Sequence, residues 1–353
     1  MHHRLLLGST ALVSAGILFA NATPAQADIE VTLGGYTEFG AEGATDDTLQ
    51  AQGDRGYTFF MDNEVHIQAT GTSDTGLTYG SYVEVEIGSG EASGLQSGND
   101  NAGEAFVDEV NLFFSGGFGR IELGRQDGAE DVMLAGGEDA QSGTGGVDGD
   151  TNNLSSVIDL NLSDNEKATY FTPRIGGLQL GASFTPEVTD DGGRDGAGFD
   201  GGHANIASGG VNWVGAFGGV DLTLSAVGVY GEAEGDDVDD RTDYAVGALI
   251  GAGGLSFGAT WGQKTDFNEA DWAHLGLKYA FGNASASLGY SYADVDGFDD
   301  TQHVFLVSGD VGLAPGLKLK GDVSYNTEDP GADDGADGQD DTIAGVISVQ
   351  LDY

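Results

Sequence analysis

The connections between apolar-alternating segments sort into two lengths, and they do so in strict alternation along the chain. Short glycine-rich turns fall at 71–76, 115–119, 173–177, 217–219, 251–254, 281–283 and 313–316. Long acidic loops fall at 40–55, 88–103, 126–164, 189–204, 231–241, 264–270, 294–301 and 326–341. Short turns on one side and long loops on the other are what an even-stranded up-and-down barrel requires when both termini lie on the short-turn side. A soluble sandwich has no reason to sort its loops this way.

The segments themselves repeat with period two rather than 3.6. Near the start, Ile29, Val31, Leu33, Thr37 and Phe39 share one face, opposite Thr32, Gly34, Tyr36 and Glu38. At the end, Ile343, Gly345, Ile347, Val349, Leu351 and Tyr353 alternate with Ser348, Gln350 and Asp352. Sixteen such segments can be read. The fourth places Phe106, Val110, Leu112 and Phe114 outward with Asp108 as an exception, and the sixth, near 168–171, leaves its facing open. The fold expected is an all-β, sixteen-stranded antiparallel transmembrane barrel.

Aromatics gather at segment ends, as interface girdles do. Phe114, Phe118, Phe171, Phe217, Tyr279, Phe281 and Tyr353 belong to the turn side, and Tyr57, Phe59, Tyr230, Trp261 and Tyr292 to the loop side. Glycines inside the segments, such as Gly34, Gly80, Gly181, Gly276, Gly289 and Gly321, permit bends or close approach, or keep the lumen open. Sequence does not separate these roles.

The first 27 residues read as a secretory signal peptide. His2, His3 and Arg4 precede an apolar run over 5–20, and Ala25-Gln26-Ala27 offers the small-x-small cleavage pattern. The expected barrel domain is therefore 28–353. With 58 acids against 12 Lys and Arg, the formal charge of −46 excludes a nucleic-acid binder. The absence of Cys excludes disulfides and thiolate chemistry. No Ser sits in a nucleophile elbow, and the scattered His66, His203, His274 and His303 form no sequence-local metal motif. An enzyme is not expected.

Three runs carry a family resemblance: GTSDTGLTYG at 71–80, FFSGGFGRIELGRQDG at 113–128 and YFTPRIGGLQLG at 170–181. Together with the terminal Leu351-Asp352-Tyr353 they resemble outer-membrane porins of the alphaproteobacterial, Rhodobacter-like type. The resemblance implies a homotrimer of barrels in the outer membrane, a terminal aromatic (Tyr353) recognised during insertion, and a third loop folded inward to narrow the pore. Its acids here are Asp127, Glu130, Asp131, Glu138, Asp139, Asp148 and Asp150. In the family such acids face arginines across the constriction.

This chain departs from that pattern. The residues assigned to the pore wall are mainly acidic or polar, namely Glu64, His66, Glu84, Glu86, Glu109 and Glu122, with Arg55, Arg120, Arg125 and Lys278 as the bases. Carboxylate-lined pores favour cations, so a cation-preferring diffusion channel is expected. Two alternatives remain at this point. One is a substrate-selective channel using Tyr36, Phe60, Tyr82, Phe113 and Trp272. The other is a Ca2+-binding adhesin. No cofactor is required, but the acidic loops, with Asp333, Asp334 and Asp337, carry the hard oxygens that suit Ca2+ and could bridge to lipopolysaccharide phosphates.

Overall fold

The computed structural model describes residues 28–45, 57–87, 105–144, 160, 165–187, 203–233, 239–265, 269–295, 300–329 and 341–353. The expected signal peptide lies outside them, as do Arg55, Asp148, Asp150, Asp333, Asp334 and Asp337.

The strands are β1 (Glu30–Ala44), β2 (Tyr57–Thr72), β3 (Thr78–Ile87), β4 (Ala105–Gly116), β5 (Gly119–Arg125), β6 (Glu166–Phe171), β7 (Leu178–Glu187) and β8 (His203–Phe217). They continue with β9 (Val220–Ala233), β10 (Arg241–Ala252), β11 (Leu255–Lys264), β12 (Ala270–Phe281), β13 (Ala284–Val295), β14 (Asp300–Ala314), β15 (Leu317–Asp329) and β16 (Thr342–Asp352). Each pairs antiparallel with its chain neighbours, and β1 pairs with β16, so the sheet closes on itself. Closure satisfies every ladder without an edge, which a sheet in hydrocarbon needs. No helix among the described residues is long and apolar enough to cross a membrane. The chain crosses with strands.

The last residue completes the seam. Tyr353 N–H donates to Gly35 O at 3.0 Å, and Gly35 N–H donates to Tyr353 O at 3.1 Å. The short turns use glycine for a stated reason: at 218–219 and 253–254 both central residues have positive φ (59° and 85°, 60° and 86°). That is the two-residue hairpin geometry that matches strand twist and that side chains resist.

The period-two expectation holds along most of the wall. Leu33, Phe59, Leu112, Leu288, Val307 and Ile347 all point outward and are about half exposed. Such a continuous apolar surface suits lipid, not water. The pattern in β6 settles its facing: Ala168 and Tyr170 point out, Lys167, Thr169 and Phe171 point in. Phe171 is therefore not a girdle residue. It is buried in the lumen against the third loop, while Phe118, Phe217, Tyr279, Phe281 and Tyr353 are exposed at the turn side as expected.

The assignment in β4 also needs correction at its loop end. Val83 pairs with Val110 but Val85 pairs with Val107, so two residues, Asp108 and Glu109, stand opposite Glu84. This bulge shifts the alternation by one. Val107 takes the outward position at that end. The apparent exception at Asp108 was the signature of the bulge.

Strand length sets where the pore narrows. β1 has 15 residues, whereas β5 and β6 have 7 and 6. The third loop leaves the wall at this low point and turns into the lumen.

Candidate functional site: the pore lumen and its third loop

After Arg125 the chain forms a short helix, α1 (Ala129–Met133), and a 3-10 turn at Glu138–Ala140. Both lie against the inside of the barrel. The loop is fixed by side chains of every second strand from β7 to β15. Ala129 N–H donates to Ser183 Oγ at 2.8 Å on β7, and Ala135 N–H to Ser225 Oγ at 3.0 Å on β9. Gly137 N–H donates to Thr260 Oγ1 at 2.9 Å on β11, and Ser142 N–H to Ser287 Oγ at 2.9 Å on β13. Thr144 N–H reaches Asp322 Oδ2 at 2.8 Å on β15. Irregular backbone in a barrel must find partners in the protein, and these four hydroxyls with the Asp322 carboxylate supply them.

Glycines on the same strands make room. A Cβ at Gly247 would strike Ala135 O, one at Gly258 would strike Gly136 O, and one at Gly276 would strike Gly137 O. These strand glycines thus serve close approach of the loop, one of the roles the sequence left unseparated. An apolar contact completes the seat: Met133 and Leu134 pack among Phe171, Ile206 and Val227, which face inward.

The described loop acids do not share one environment. Glu130 is wholly buried and turned to the wall, where the Ser208 hydroxyl donates to its carboxylate. Burial raises its pKa above the ordinary carboxylate range, opposed by Lys167 and by Ser208. Asp131 is also buried. Asp139 accepts Gly136 N–H at 2.7 Å and so caps the loop's own backbone. Glu138 lies 3.4 Å from His274 Nε2, and Asp127 is half-buried. Glu130 therefore does not face bases across the pore, because its helix is docked with that side against β8.

The bases are similarly engaged. Arg120 pairs with Glu122 on its own strand at 2.5 Å and lies 4.3 Å over the Phe113 ring. Lys278 donates to the carbonyls of Asp139 and Gln141 at 3.3 and 2.9 Å, beneath the loop rather than opposite it. Lys320 donates to Glu38 at 2.7 Å, and Arg241 to Asp243 at 2.5 Å. Arg125 ends β5 half-buried.

The wall of β1–β3 is the acidic one. Glu38 and Glu42 on β1, Asp62 and Glu64 on β2, and Glu84 and Glu86 on β3 all point inward, none more than 8% exposed. The β2–β3 register sets Glu64 opposite Glu86 and His66 opposite Glu84. Glu109 belongs to the β4 bulge facing Glu84. Tyr36, Phe60, Phe113 and Trp272 also point inward, but three of them lie flat over glycines of adjoining strands: Phe60 over Gly40, Phe113 over Gly80, Trp272 over Gly262. They fill the wall rather than project from it.

Sequence reasoning missed the loop's anchors. Ser183, Ser208, Ser225, Thr260 and Ser287 are unremarkable one by one. Their common inward facing on β7–β13, interleaved with Gly181, Gly210, Gly247, Gly258 and Gly276, was the available signal.

The profile of the family described as Gram-negative porin matches residues 8–331. No curated protein matches the chain. Among solved structures, an anion-selective porin from Comamonas acidovorans superposes with a TM-score of 0.63 at 16% identity, covering 92% of this chain and all of that one. A substituted porin of Rhodopseudomonas blastica superposes with a TM-score of 0.62 at 16% identity over the same shares. At these identities the structures attest the fold, and the profile attests the family. A closed sixteen-stranded barrel, an inward-folded third loop and the profile match over most of the chain agree: the chain belongs to the Gram-negative porin family, a channel of the bacterial outer membrane.

Proposed function

We propose that this porin is a general diffusion channel, assembled as a homotrimer, that passes small hydrophilic solutes and prefers cations. The observation that carries the cation preference is the lumen wall of β1–β3, where Glu38, Glu42, Asp62, Glu64, Glu84 and Glu86 all face inward. Arg120, Arg241, Lys278 and Lys320 sit against carboxylates or loop carbonyls, so their charge is offset locally. Clefts lined by one sign of charge concentrate ions of the opposite sign. Three of the five aromatics that could guide a particular substrate, Phe60, Phe113 and Trp272, lie against glycines of the wall, which favours the unselective reading. Two parts of the proposal rest on sequence: Tyr353 as the insertion signal, and Ca2+ bridging of Asp333, Asp334 and Asp337 to lipopolysaccharide phosphates.

The test is reconstitution of the purified protein in a planar bilayer. Conductance steps arriving in threes support the trimer, and the reversal potential in a KCl gradient reads the selectivity. Anion-signed potentials overturn the cation preference, and the absence of channels overturns the whole reading.

A further inference from the structure

Three metal-ligating side chains converge on the acidic wall. Glu64 and His66 are alternate residues on the inward face of β2, and Glu84 stands directly opposite His66 on β3. Directly opposed residues on one face bring their Cβ atoms to about 5 Å. Their donor atoms come closer. His66 Nε2 lies 3.0 Å from Glu64 Oε2 and 3.4 Å from Glu84 Oε2, and the ligand atoms of all three lie within 4.8 Å of one another.

These separations match a particular coordination. Zinc bonds to imidazole nitrogen and carboxylate oxygen at about 2.0–2.2 Å in tetrahedral sites, which sets neighbouring ligand atoms roughly 3.3–3.6 Å apart. Two of the three edges already stand at or within a few tenths of an ångström of that value. The supporting contacts agree. The Tyr36 hydroxyl lies 2.8 Å from Glu64 Oε1, leaving Oε2 on the side of His66. Tyr82 donates to Glu84 Oε2 at 2.6 Å and its ring lies 5.7 Å from the imidazole. Hydrogen bonds of this kind orient first-contact ligands and are usual around bound metals. The His66 side chain is 32% exposed, against 2% and 11% for the two carboxylates, so the cluster opens to the lumen on the imidazole side. Three protein ligands and one open position are the pattern of an accessible zinc site.

We propose that Glu64, His66 and Glu84 form a binding site for a Zn2+-class transition-metal cation in the pore wall. The imidazole selects against Ca2+ and Mg2+, which take oxygen ligands in larger number or keep their water. The surrounding Asp62 and Glu86 add negative charge that draws a divalent ion in. Occupancy offsets two wall carboxylates and places a fixed cation where permeating cations pass, so it lowers cation current. That consequence, unlike the site, rests on the channel reading.

The test is calorimetric titration of the detergent-solubilised full chain with ZnCl2, with CaCl2 as the comparison and Co2+ absorption as a coordination signature. We expect one equivalent of Zn2+ per chain, bound at least about tenfold more weakly in His66→Gln and in Glu84→Gln, and four-coordinate Co2+ bands that vanish in both. Each variant is checked for folding by circular dichroism, and two variants guard against one failing to fold. Zn2+ binding that is equal in wild type and His66→Gln reports only the acidic loops and overturns the proposal. So does the absence of a Zn2+ equivalent, which would make the cluster an imidazolium held between carboxylates. In bilayers, added Zn2+ should reduce single-channel current in wild type and not in His66→Gln. Silence of both proteins in the bilayer would count against the channel reading, while the calorimetry still decides the site.

Discussion

The backbone N–H and the hydroxyl of Thr144 both donate to a single oxygen, Oδ2 of Asp322, 178 residues further along the chain. This joint holds the far end of the described third-loop segment to β15. Hydrogen bonds to a charged acceptor contribute about 1.5–3 kcal/mol each, and a buried donor left without one costs a comparable amount. Asp322→Ala removes the acceptor from both donors. The ladders do not depend on Asp322, so the barrel should stay folded. Amide exchange at 141–144 should accelerate by at least about tenfold, and open-channel current noise should rise. Unchanged exchange at Thr144 would show that the joint does not hold the loop.

The glycine row gives a sharper test of how the loop is seated. Gly247 and Gly258 lie where the backbone of Ala135 and Gly136 comes within reach of any added Cβ, and backbone cannot rotate away as a side chain can. Gly251 has nothing nearer than 3.8 Å to such an atom. Gly258→Val should therefore push the loop off β11 and widen the pore, raising conductance, with little change in barrel melting. Overpacking of this kind costs about 1–3 kcal/mol locally. Gly251→Ala should leave conductance as it is. Equal conductance in the two variants would refute the seating.

What the sequence could and could not carry follows from the same residues. Barrel, strand number and outward face were legible because lipid imposes a period of two on Leu33, Phe59 or Val307 whatever their neighbours. The inner face obeys a different rule: it must fit a loop from elsewhere in the chain. Thr260 and Gly258 have their roles only because Gly136 and Gly137 arrive from more than a hundred residues upstream. The alternation broke at the loop end of β4, where Val107 points outward, because the bulge there adds one residue. The loop acids were found, but the direction of Glu130 was not, since docking of α1 against Ser208 rather than charge decides it.

Glu130 carries a pH dependence with a definite sign. Burial raises its folded pKa, so the folded loop favours the protonated carboxyl. For a raised acid, the stabilising contribution is complete below the unfolded pKa of about 4.3 and is lost as pH climbs through the higher folded value. Glu130→Gln removes this titration. The variant's loop should match wild type at low pH and become the better protected of the two as pH rises through the folded value. Amide exchange over 129–135 at several pH values measures this. A difference that shrinks with rising pH would mean that Lys167 and Ser208 outweigh burial.

The cation preference, if it comes from the wall, has an address. Glu84 faces inward on β3 with 11% of its side chain exposed, beside the partly exposed His66, whereas Glu130 is wholly buried between α1 and β8. A unit charge acts on an ion 4 Å away by about 1 kcal/mol even at the dielectric of water, or about fivefold in local concentration. Glu84→Gln should therefore lower the cation-to-anion permeability ratio by about two- to fivefold in dilute KCl. Glu130→Gln should leave it unchanged, although both substitutions remove one carboxyl group. The gap should close toward 1 M salt, where the screening length falls to about 3 Å. Reversal potentials of the three proteins across a salt series decide the matter. An equal response to the two substitutions would trace selectivity to net charge and the outer loops rather than to the wall of β1–β3.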